Sequence, residues 1–255
     1  MLLQENFSHF YEDDHFTFHV ETRIPYSQCG PDGSLTLFNF LRLTTDFSSE
    51  DIRLRGASMS FLKSHNIARI VARSSFRFHR MPKTDERIEF ITTEGKPDSL
   101  QFPRNYKILG ENGEILVSGT SKWMLTAYDT RKILPTRAIE PFRKTNVQQL
   151  ELPDCLPCGK IPTPENLQKI GEQTIGLSHL DGNGHVGNAF YAAFIANALP
   201  PQYSKRHLID FRINYSKEAL LGETLELFMA ETGKDRLVVI GQKPGGISFA
   251  SELSF

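Results

Sequence analysis

The second half of the chain repeats the order of elements in the first half, and this repeat constrains the fold more than any other feature. Residues 74–90 align without gaps with residues 211–227, at a constant offset of 137 positions. Each segment contains two runs of alternating apolar residues separated by a turn signal, which is typical of antiparallel strands. The repeat favours two copies of one structural unit, although two unrelated α+β domains would give a similar order of elements.

The first half is predicted to contain one long helix among antiparallel strands. Apolar side chains recur at helical spacing at Leu37, Phe38, Leu41 and Phe47. Ser34 is the expected N-cap of this helix, and Gly56 marks its expected end. Strands are expected at residues 16–24 before the helix, and at 70–79, 87–93, 104–109 and 115–125 after it.

The second half is predicted to follow the same plan. A strand at 173–179 precedes a helix at 188–199, and further strands follow near 207–216, 223–232, 236–242 and 247–254. Six prolines between Pro135 and Pro164 predict a linker. We therefore expect an N-terminal unit at 1–140, a linker at 141–170 and a C-terminal unit at 171–255. A long helix followed by an antiparallel meander, occurring twice, resembles an α+β double hotdog fold, in which one curved sheet wraps around the helices.

Composition and charge exclude several classes of protein. With 39% hydrophobic and 23% charged residues, the chain can build a core, so wholesale disorder is not expected. The formal net charge of −1 gives no global argument for nucleic acid or an anionic membrane as a partner. No basic leader and no apolar run of about 20 residues is present, so we expect a cytoplasmic protein.

No cofactor or metal is expected either. Cys155 and Cys158 have the spacing of redox pairs and metal knuckles. A redox pair needs a helix that begins at the first cysteine, and a structural zinc site needs a second pair of ligands. The sequence offers neither, so a structural role is favoured for both cysteines.

One segment combines the residue types of an acyl-transfer site. Asp181, Asn183 and His185 alternate with glycines, so their side chains would share one face wherever the backbone is extended. The predicted helix follows directly, and the free amides at its start, at residues 186–188, would stabilise an oxyanion. Asp-Gly and Asn-Gly are also common signals of tight turns, and a plain turn with a helix cap is the alternative.

The same segment carries a resemblance to a known family. Residues 179–191, His-Leu-Asp-Gly-Asn-Gly-His-Val-Gly-Asn-Ala-Phe-Tyr, resemble the signature Leu-Asp-x-Asn-x-His-Val-x-Asn of acyl-ACP thioesterases, the plant-type enzymes and their bacterial relatives. The resemblance continues, in the family's order, at residues 76–85, 113–123 and 129–135. It implies hydrolysis of fatty acyl-ACP thioesters to free fatty acid and holo-ACP, in fatty acid biosynthesis.

The resemblance also implies which residues form the site. The catalytic residues carried over are Asp181, Asn183, His185 and Glu218, and the oxyanion site is formed by Val186, Gly187 and Asn188. Ala219 stands where the plant enzymes often have cysteine, which excludes a cysteine nucleophile there. The repeat aligns Met81 with Glu218, and residues 29–33 lack Asn-x-His, so only the C-terminal half is expected to be catalytic.

The N-terminal half is then free to hold the acyl chain. The candidates for lining an acyl pocket are Phe38, Phe47, Phe76 and Trp123, with a plain core role as the alternative. The partner is expected to be an acidic acyl carrier protein, which predicts a basic rim around the pocket. Its candidates are Arg69, Arg73 and Arg77 on one strand, and Arg131, Lys132, Arg137, Arg143 and Lys144 near the linker. A monomer or a homodimer fits equally well.

Two mechanisms remain open. Either Glu218, with His185, activates a water while Asn183 orients it and Asp181 holds both, or Glu218 attacks the thioester directly. The rival functions are an acyl-CoA thioesterase on the same fold, a hotdog dehydratase or hydratase, and an acyl-binding protein without catalysis.

Overall fold

The computed structural model describes residues 7–204 and 206–255. In this part of the chain, antiparallel pairing joins twelve strands into a single sheet. The strands are β1 Phe7–Tyr11, β2 Thr17–Arg23, β3 Ile67–Phe78, β4 Arg87–Glu94, β5 Gln101–Leu109, β6 Ile115–Ala127, β7 Ile133–Leu134, β8 Gln168–Thr174, β9 Asp210–Tyr215, β10 Thr224–Gly233, β11 Arg236–Lys243 and β12 Gly246–Ser254. The helices are α1 Leu37–Leu54, α2 Met59–Ser64, α3 Phe190–Ala198 and α4 Pro201–Ser204.

The order of the strands confirms the internal repeat. The sheet runs β1-β2-β4-β5-β6-β3-β9-β12-β11-β10-β8, and β7 pairs with β6. The strands β3 and β9 lie side by side at the centre, where Ser75 pairs with Arg212. These two residues are separated by the 137 positions of the repeat, so a pseudo-twofold axis passes through their pair. Five strands of each half therefore match outwards from this axis, and β1 adds a sixth strand at the N-terminal edge.

The sheet curves around α1 and α3. On α1, Phe40 contacts Phe76 and Phe78 of β3 edge-on, with ring centroids 4.8 and 5.1 Å apart. On α3, Tyr191 contacts Phe249 of β12, with ring centroids 5.0 Å apart. The apolar stripe of each helix is thereby buried against the inner face of its own half of the sheet.

Two local predictions are wrong. Thr36, not Ser34, caps α1, because its side chain accepts a hydrogen bond from the amide of Asn39. The strand predicted at 173–179 ends at Thr174, and a 3-10 turn follows at Leu177–His179. The second helix lies within its predicted bounds and ends at Ala198, because Pro200 disfavours a helical conformation at the preceding Leu199. Most of the other predicted strands agree with the structure to within about three residues at each end.

The linker crosses the outer face of the sheet at its centre. The hydroxyl groups of Ser75 and Ser118 donate hydrogen bonds to the carbonyl oxygens of Leu156 and Asp154, respectively. Cys155 and Cys158 are free, and burial raises the pKa of the Cys158 thiol to about 12. That thiol is protonated at neutral pH, so it is a poor nucleophile and metal ligand.

A cluster of buried charges fixes the end of α1 to the N-terminal half of the sheet. Asp51 of α1 accepts hydrogen bonds from Arg55 at 2.7 Å and from Arg104 of β5 at 2.5 Å. Glu94 of β4 accepts one from Arg143 at 2.7 Å, and Arg69 of β3 lies 3.6 Å away. Burial alone would raise the pKa of Glu94, but the surrounding guanidinium groups hold it at about 2.

Replacing Glu94 by glutamine should lower the free energy of unfolding by about 3 to 5 kcal/mol, because it removes an anion from among buried cations. Urea unfolding of the purified chain measures this change. The control is Glu172→Gln, which removes an exposed carboxylate beside Lys169 and should change stability by no more than about 0.5 kcal/mol.

The difference between wild type and Glu94→Gln should also depend on pH. The pKa of Glu94 is lower in the folded state than its ordinary value of 4.5, so its stabilisation is complete above that pH and is lost as the pH falls toward 2. A difference that stays constant from pH 6 to about pH 3 would contradict the assignment of Glu94 as the anchoring anion.

Candidate active site

The segment 181–185 forms the tight turn that its Asp-Gly and Asn-Gly dipeptides indicate, and it leads into α3. The amide of Asp181 donates to the carbonyl of His185 at 2.8 Å, and Gly184 has a φ of +81°. The Asp181 carboxylate also accepts from the amide of Asn183 at 2.8 Å. The three polar side chains therefore lie together because the backbone folds back on itself, not because it is extended.

His185 lies between two carboxylates. Its Nδ1 is 3.7 Å from Asp181 Oδ1, and its Nε2 is 3.6 Å from Glu218 Oε1. The side-chain amide of Asn183 lies 3.5 Å from Asp181. Glu218 follows β9. The carbonyl of the next residue, Ala219, accepts a hydrogen bond from the amide of Val186, which holds this loop beside the turn. The structure therefore brings all four predicted catalytic side chains together, with 3.5 to 3.7 Å between their nearest polar atoms.

The N-terminal half supplies one more polar group to this turn. Arg131, just after β6, donates a hydrogen bond to the backbone carbonyl of Asn183 at 3.1 Å, and its Nη1 lies 3.8 Å from Glu218 Oε1. Its own φ is +59°, a backbone conformation that is uncommon for a side chain of this size. The sequence predicts Arg131 as part of a basic rim, and its motif at 129–135 does not indicate this contact.

Two of the three predicted oxyanion amides are already paired within the protein. Val186 donates its amide to the carbonyl of Ala219, and Gly187 donates its amide to that of His179, each at 3.0 Å. The prediction that they bind an oxyanion is therefore wrong, because a paired amide cannot donate again without opening its bond. In the described chain, the amide of Asn188 makes no hydrogen bond.

A cavity of about 530 Å³ begins at these residues and extends into the N-terminal half. The strands β3 and β9 pair only from Arg73 to Arg77, so residues 69–72 of β3 face the cavity. The other walls come from α1, β6 and the catalytic loops. Among the predicted acyl-pocket residues, Trp123 lines this cavity.

The other three predicted pocket residues belong to the core. Phe47 contacts Phe90, Phe76 contacts Phe40, and Phe38 contacts Phe190, each at about 5 Å between ring centroids. All three lie outside the cavity. Aromatic residues at this spacing therefore indicate packing. Trp123 differs from the other three because it pairs with Val71, in the part of β3 that lines the cavity.

The predicted basic rim is also partly wrong. A β-bulge between Val71 and Arg73 reverses the faces of β3, so Arg69 points inwards whereas Arg73 lies on the opposite face. Arg143 is buried as well, and it donates a hydrogen bond to Glu94. Alternation along a strand predicts a shared face only where the pairing is regular.

The N-terminal half contains the same turn without the same chemistry. The amide of Gly30 donates to the carbonyl of Ser34 at 2.8 Å, as Asp181 does to His185, and Gly33 has a φ of +73°. The residues in the matching positions are Gly30, Asp32 and Ser34, and Met81 matches Glu218. This half therefore lacks the imidazole and the paired carboxylates.

Comparison with known proteins agrees with this geometry. The family model for the acyl-ACP thioesterase N-terminal domain matches residues 15–138, and the model for the C-terminal domain matches residues 165–246. The chain belongs to the acyl-ACP thioesterase family. A chloroplastic acyl-(acyl-carrier-protein) hydrolase, FATB2, of Cuphea viscosissima is 28% identical to this thioesterase-family chain over 169 residues. That match covers 63% of this chain, which spans 40% of the length of the plant protein.

Solved structures confirm the double hotdog fold. An acyl-ACP thioesterase from Bacteroides thetaiotaomicron is 20% identical, with a TM-score of 0.81 over 96% of this chain and 100% of its own. A 12:0-ACP thioesterase from Umbellularia californica is 19% identical, with a TM-score of 0.77 over 96% of this chain and 98% of its own. Among residues 7–204 and 206–255, no helix is both long and apolar enough to cross a membrane.

The two matching glycines allow a controlled test of the turn. A Cβ at either position would meet open space or a single distant atom, so alanine is disfavoured by the positive φ alone. Gly184→Ala and Gly33→Ala should each lower stability by about 1 to 2 kcal/mol, measured by urea unfolding. Only Gly184→Ala should reduce thioester hydrolysis, because only its turn carries Asn183 and His185. Equal losses of activity in the two variants would contradict this assignment.

Proposed function

We propose that the protein hydrolyses fatty acyl-ACP thioesters, releasing free fatty acid and holo-ACP in fatty acid biosynthesis. The observation that carries this proposal is His185, held between Asp181 and Glu218 at the opening of a cavity large enough for an acyl chain. The family and the names of its members, which include a plant acyl carrier protein hydrolase and a 12:0-ACP thioesterase, support the choice of substrate.

The geometry supports a water-activating role for Glu218. Its carboxylate is partly exposed and stands beside His185 Nε2, which has no hydrogen-bond partner among the described residues. A water held between them would lose a proton to Glu218 as its oxygen attacks the thioester carbon. The carbon–sulfur bond then breaks, and the proton held by Glu218 passes to the sulfur, which leaves as the free thiol of the carrier. Direct attack by Glu218, which would form an anhydride, is the alternative.

Asn183 and Asn188 are suited to stabilise the negative charge on the carbonyl oxygen. The amide of Asn188 remains available, and its side chain is held by Thr45 of α1 at 3.2 Å. The side chain of Asn183 is oriented by Asp181. Removal of one such donor from other enzymes has slowed turnover about 100- to 1,000-fold.

The identity of the thiol carrier and the location of the protein stay predictions. Acyl carrier protein is the proposed partner, and acyl-CoA is the alternative, because both present the same thioester to the same site. A cytoplasmic location is still our expectation, although the matching plant protein is chloroplastic. The exposed members of the basic rim, such as Lys132 and Arg137, could contact an acidic carrier.

Substituting the catalytic residues should remove activity without unfolding the protein. His185→Ala and Asn183→Ala should each lower kcat/KM for acyl-ACP at least about 100-fold, because general acid–base and oxyanion contributions have this size. The release of free fatty acid measures the rate, with acyl-CoA of the same chain length as the parallel substrate. The matched control is Asp32→Ala, which alters the counterpart turn and should retain activity.

A His185→Ala enzyme that hydrolyses acyl-ACP at nearly the wild-type rate would exclude the proposed site. Tight binding of acyl-ACP without release of fatty acid by the wild-type protein would instead favour the acyl-binding function. Faster turnover of acyl-CoA than of acyl-ACP would identify CoA as the carrier, with the same catalytic site.

Arg131 should act by positioning Glu218 and the catalytic turn. Arg131→Gln should lower kcat about tenfold or more with a smaller effect on KM, because the positioned groups act in the transition state. Arg131→Lys, which keeps the charge, should recover part of the loss. The control is Lys83→Gln, which removes the cation that donates to Ser34 beside the counterpart turn and should leave kcat unchanged. A loss confined to KM would argue for substrate binding instead.

A further inference from the structure

The loop that carries Glu218 is held by one residue of β12. Ser216, the first residue after β9, donates its amide to the carbonyl of Ser248 at 2.8 Å. The hydroxyl group of the same serine donates a hydrogen bond to the carbonyl of Lys217 at 2.7 Å. Ser248 therefore fixes the backbone of both residues that directly precede Glu218.

Tyr191 of α3 contacts Ser248 from the helix side. The two hydroxyl oxygens are 3.2 Å apart. A serine hydroxyl group has one proton, and Ser248 donates it to the carbonyl of Lys217, so Tyr191 is the donor in the contact between the two hydroxyl groups. Tyr191 and Ser248 are only 4% and 1% exposed, so bulk water does not replace either partner when the other is removed. A buried chain of hydrogen bonds thus runs from α3 to the backbone beside Glu218.

Tyr191 belongs to the site as well as to the core. It follows the turn at 181–185 as the second residue of α3, and its side chain lines the cavity together with Glu218. Burial raises the pKa of its hydroxyl group, and the negative charges of Glu218 and Asp181 act in the same direction. The hydroxyl group is therefore protonated at neutral pH and able to donate.

The position of Ser248 has a counterpart in the N-terminal half. His79 donates its amide to the carbonyl of Leu116 at 2.9 Å, as Ser216 does to that of Ser248. His79 and Ser216 are separated by the 137 positions of the repeat. Leu116 is therefore the counterpart of Ser248, and it has no hydroxyl group.

The position of Tyr191 has a counterpart too. Tyr191 and Phe40 each lie six residues after the last residue of their turns. Phe40 contacts Phe78 at 5.1 Å between ring centroids, and Tyr191 contacts Tyr215 at 5.6 Å. Phe78 and Tyr215 are again 137 positions apart, so Phe40 is the counterpart of Tyr191.

The two hydroxyl groups occur in the half that has the carboxylate. The N-terminal counterparts of Tyr191, Ser248 and Glu218 are all apolar, and they are Phe40, Leu116 and Met81. Phe40 and Leu116 are fully buried, so the scaffold packs at both positions without a hydrogen bond. The hydroxyl pair is therefore not a requirement of the fold, and its contact with the residue before Glu218 indicates what it is for.

We propose that Tyr191 and Ser248 form one positioning unit, which holds the backbone at Glu218 so that its carboxylate stays beside His185. Neither residue contacts the reacting atoms, and both act through Glu218. This inference rests on the proposed thioesterase function and identifies two further residues on which its rate depends. If the two hydroxyl groups only satisfied each other in the core, their removal would lower stability and leave the rate unchanged.

The test removes each hydroxyl group with Tyr191→Phe and Ser248→Ala in the full chain. Each variant should lower kcat for acyl-ACP about 10- to 100-fold, because a small displacement of a group that acts in the transition state has effects of this size. KM should change by less than about twofold. The double variant should lose no more than the more damaged single variant, because both substitutions interrupt the same chain of hydrogen bonds.

The matched control is Tyr106→Phe. Tyr106 is also buried, and its hydroxyl group lies 2.8 Å from that of Ser121, but it lies outside the cavity. Tyr106→Phe should therefore leave kcat unchanged, and urea unfolding checks that all variants are folded under the assay conditions. A kcat within about twofold of wild type in Tyr191→Phe and Ser248→Ala would overturn the inference. So would a loss confined to KM, losses that multiply in the double variant, or an equal fall of kcat in Tyr106→Phe.

Hydrogen exchange keeps the inference separate from the proposed function. If the wild-type protein hydrolyses no acyl thioester, the thioesterase function fails, and the positioning unit is tested on the loop itself. Amide exchange in a peptide that covers residues 216–219 should be at least about tenfold faster in Tyr191→Phe and Ser248→Ala than in wild type, because the loop opens more readily. Tyr106→Phe should leave this exchange unchanged. Exchange that is equal in the wild type and in both site variants would overturn the positioning unit.

Discussion

The pairing of β3 with β9 is the contact on which the rest of the structure depends. It joins two similar units into one sheet and places the pseudo-twofold axis at Ser75 and Arg212. The pairing is short, because β9 ends at Tyr215 while β3 continues past the last pair at Arg73. The cavity lies beside this unpaired part of β3, with the loop that carries Glu218 on its other side. The site is therefore a property of both halves, and Arg131 is the clearest sign of this.

Two nearly identical turns show how one scaffold supports different roles. Both turns use a glycine with positive φ and the same backbone hydrogen bonds, so the backbone geometry is independent of the side chains that each turn carries. In the C-terminal half the side chains are an imidazole, an amide and two carboxylates. In the N-terminal half the corresponding residues are small or apolar apart from Asp32. The buried charges of this half lie instead in the cluster around Glu94.

Most strands, the repeat and the fold class could be predicted from the sequence, because alternating apolar residues and turn signals act locally. The predictions that failed depend on irregular strand pairing and on contacts between distant residues, which the residue pattern does not show. The bulge before Arg73 places Arg69 in the interior. The amides of Val186 and Gly187 already donate hydrogen bonds to backbone carbonyls of the protein. The contact of Arg131 with the catalytic turn joins residues from the two halves, and nothing in its own segment reveals the partner.

The linker that crosses the centre of the sheet has a consequence for how such a site can change. In an association of two identical chains, every substitution appears twice, once on each side of the axis. Here the two sides are encoded separately and held together by one covalent chain whose backbone covers the seam. One side can therefore lose polar groups that the other side keeps, so the two halves can differ in the fused molecule and cannot differ in a symmetric pair.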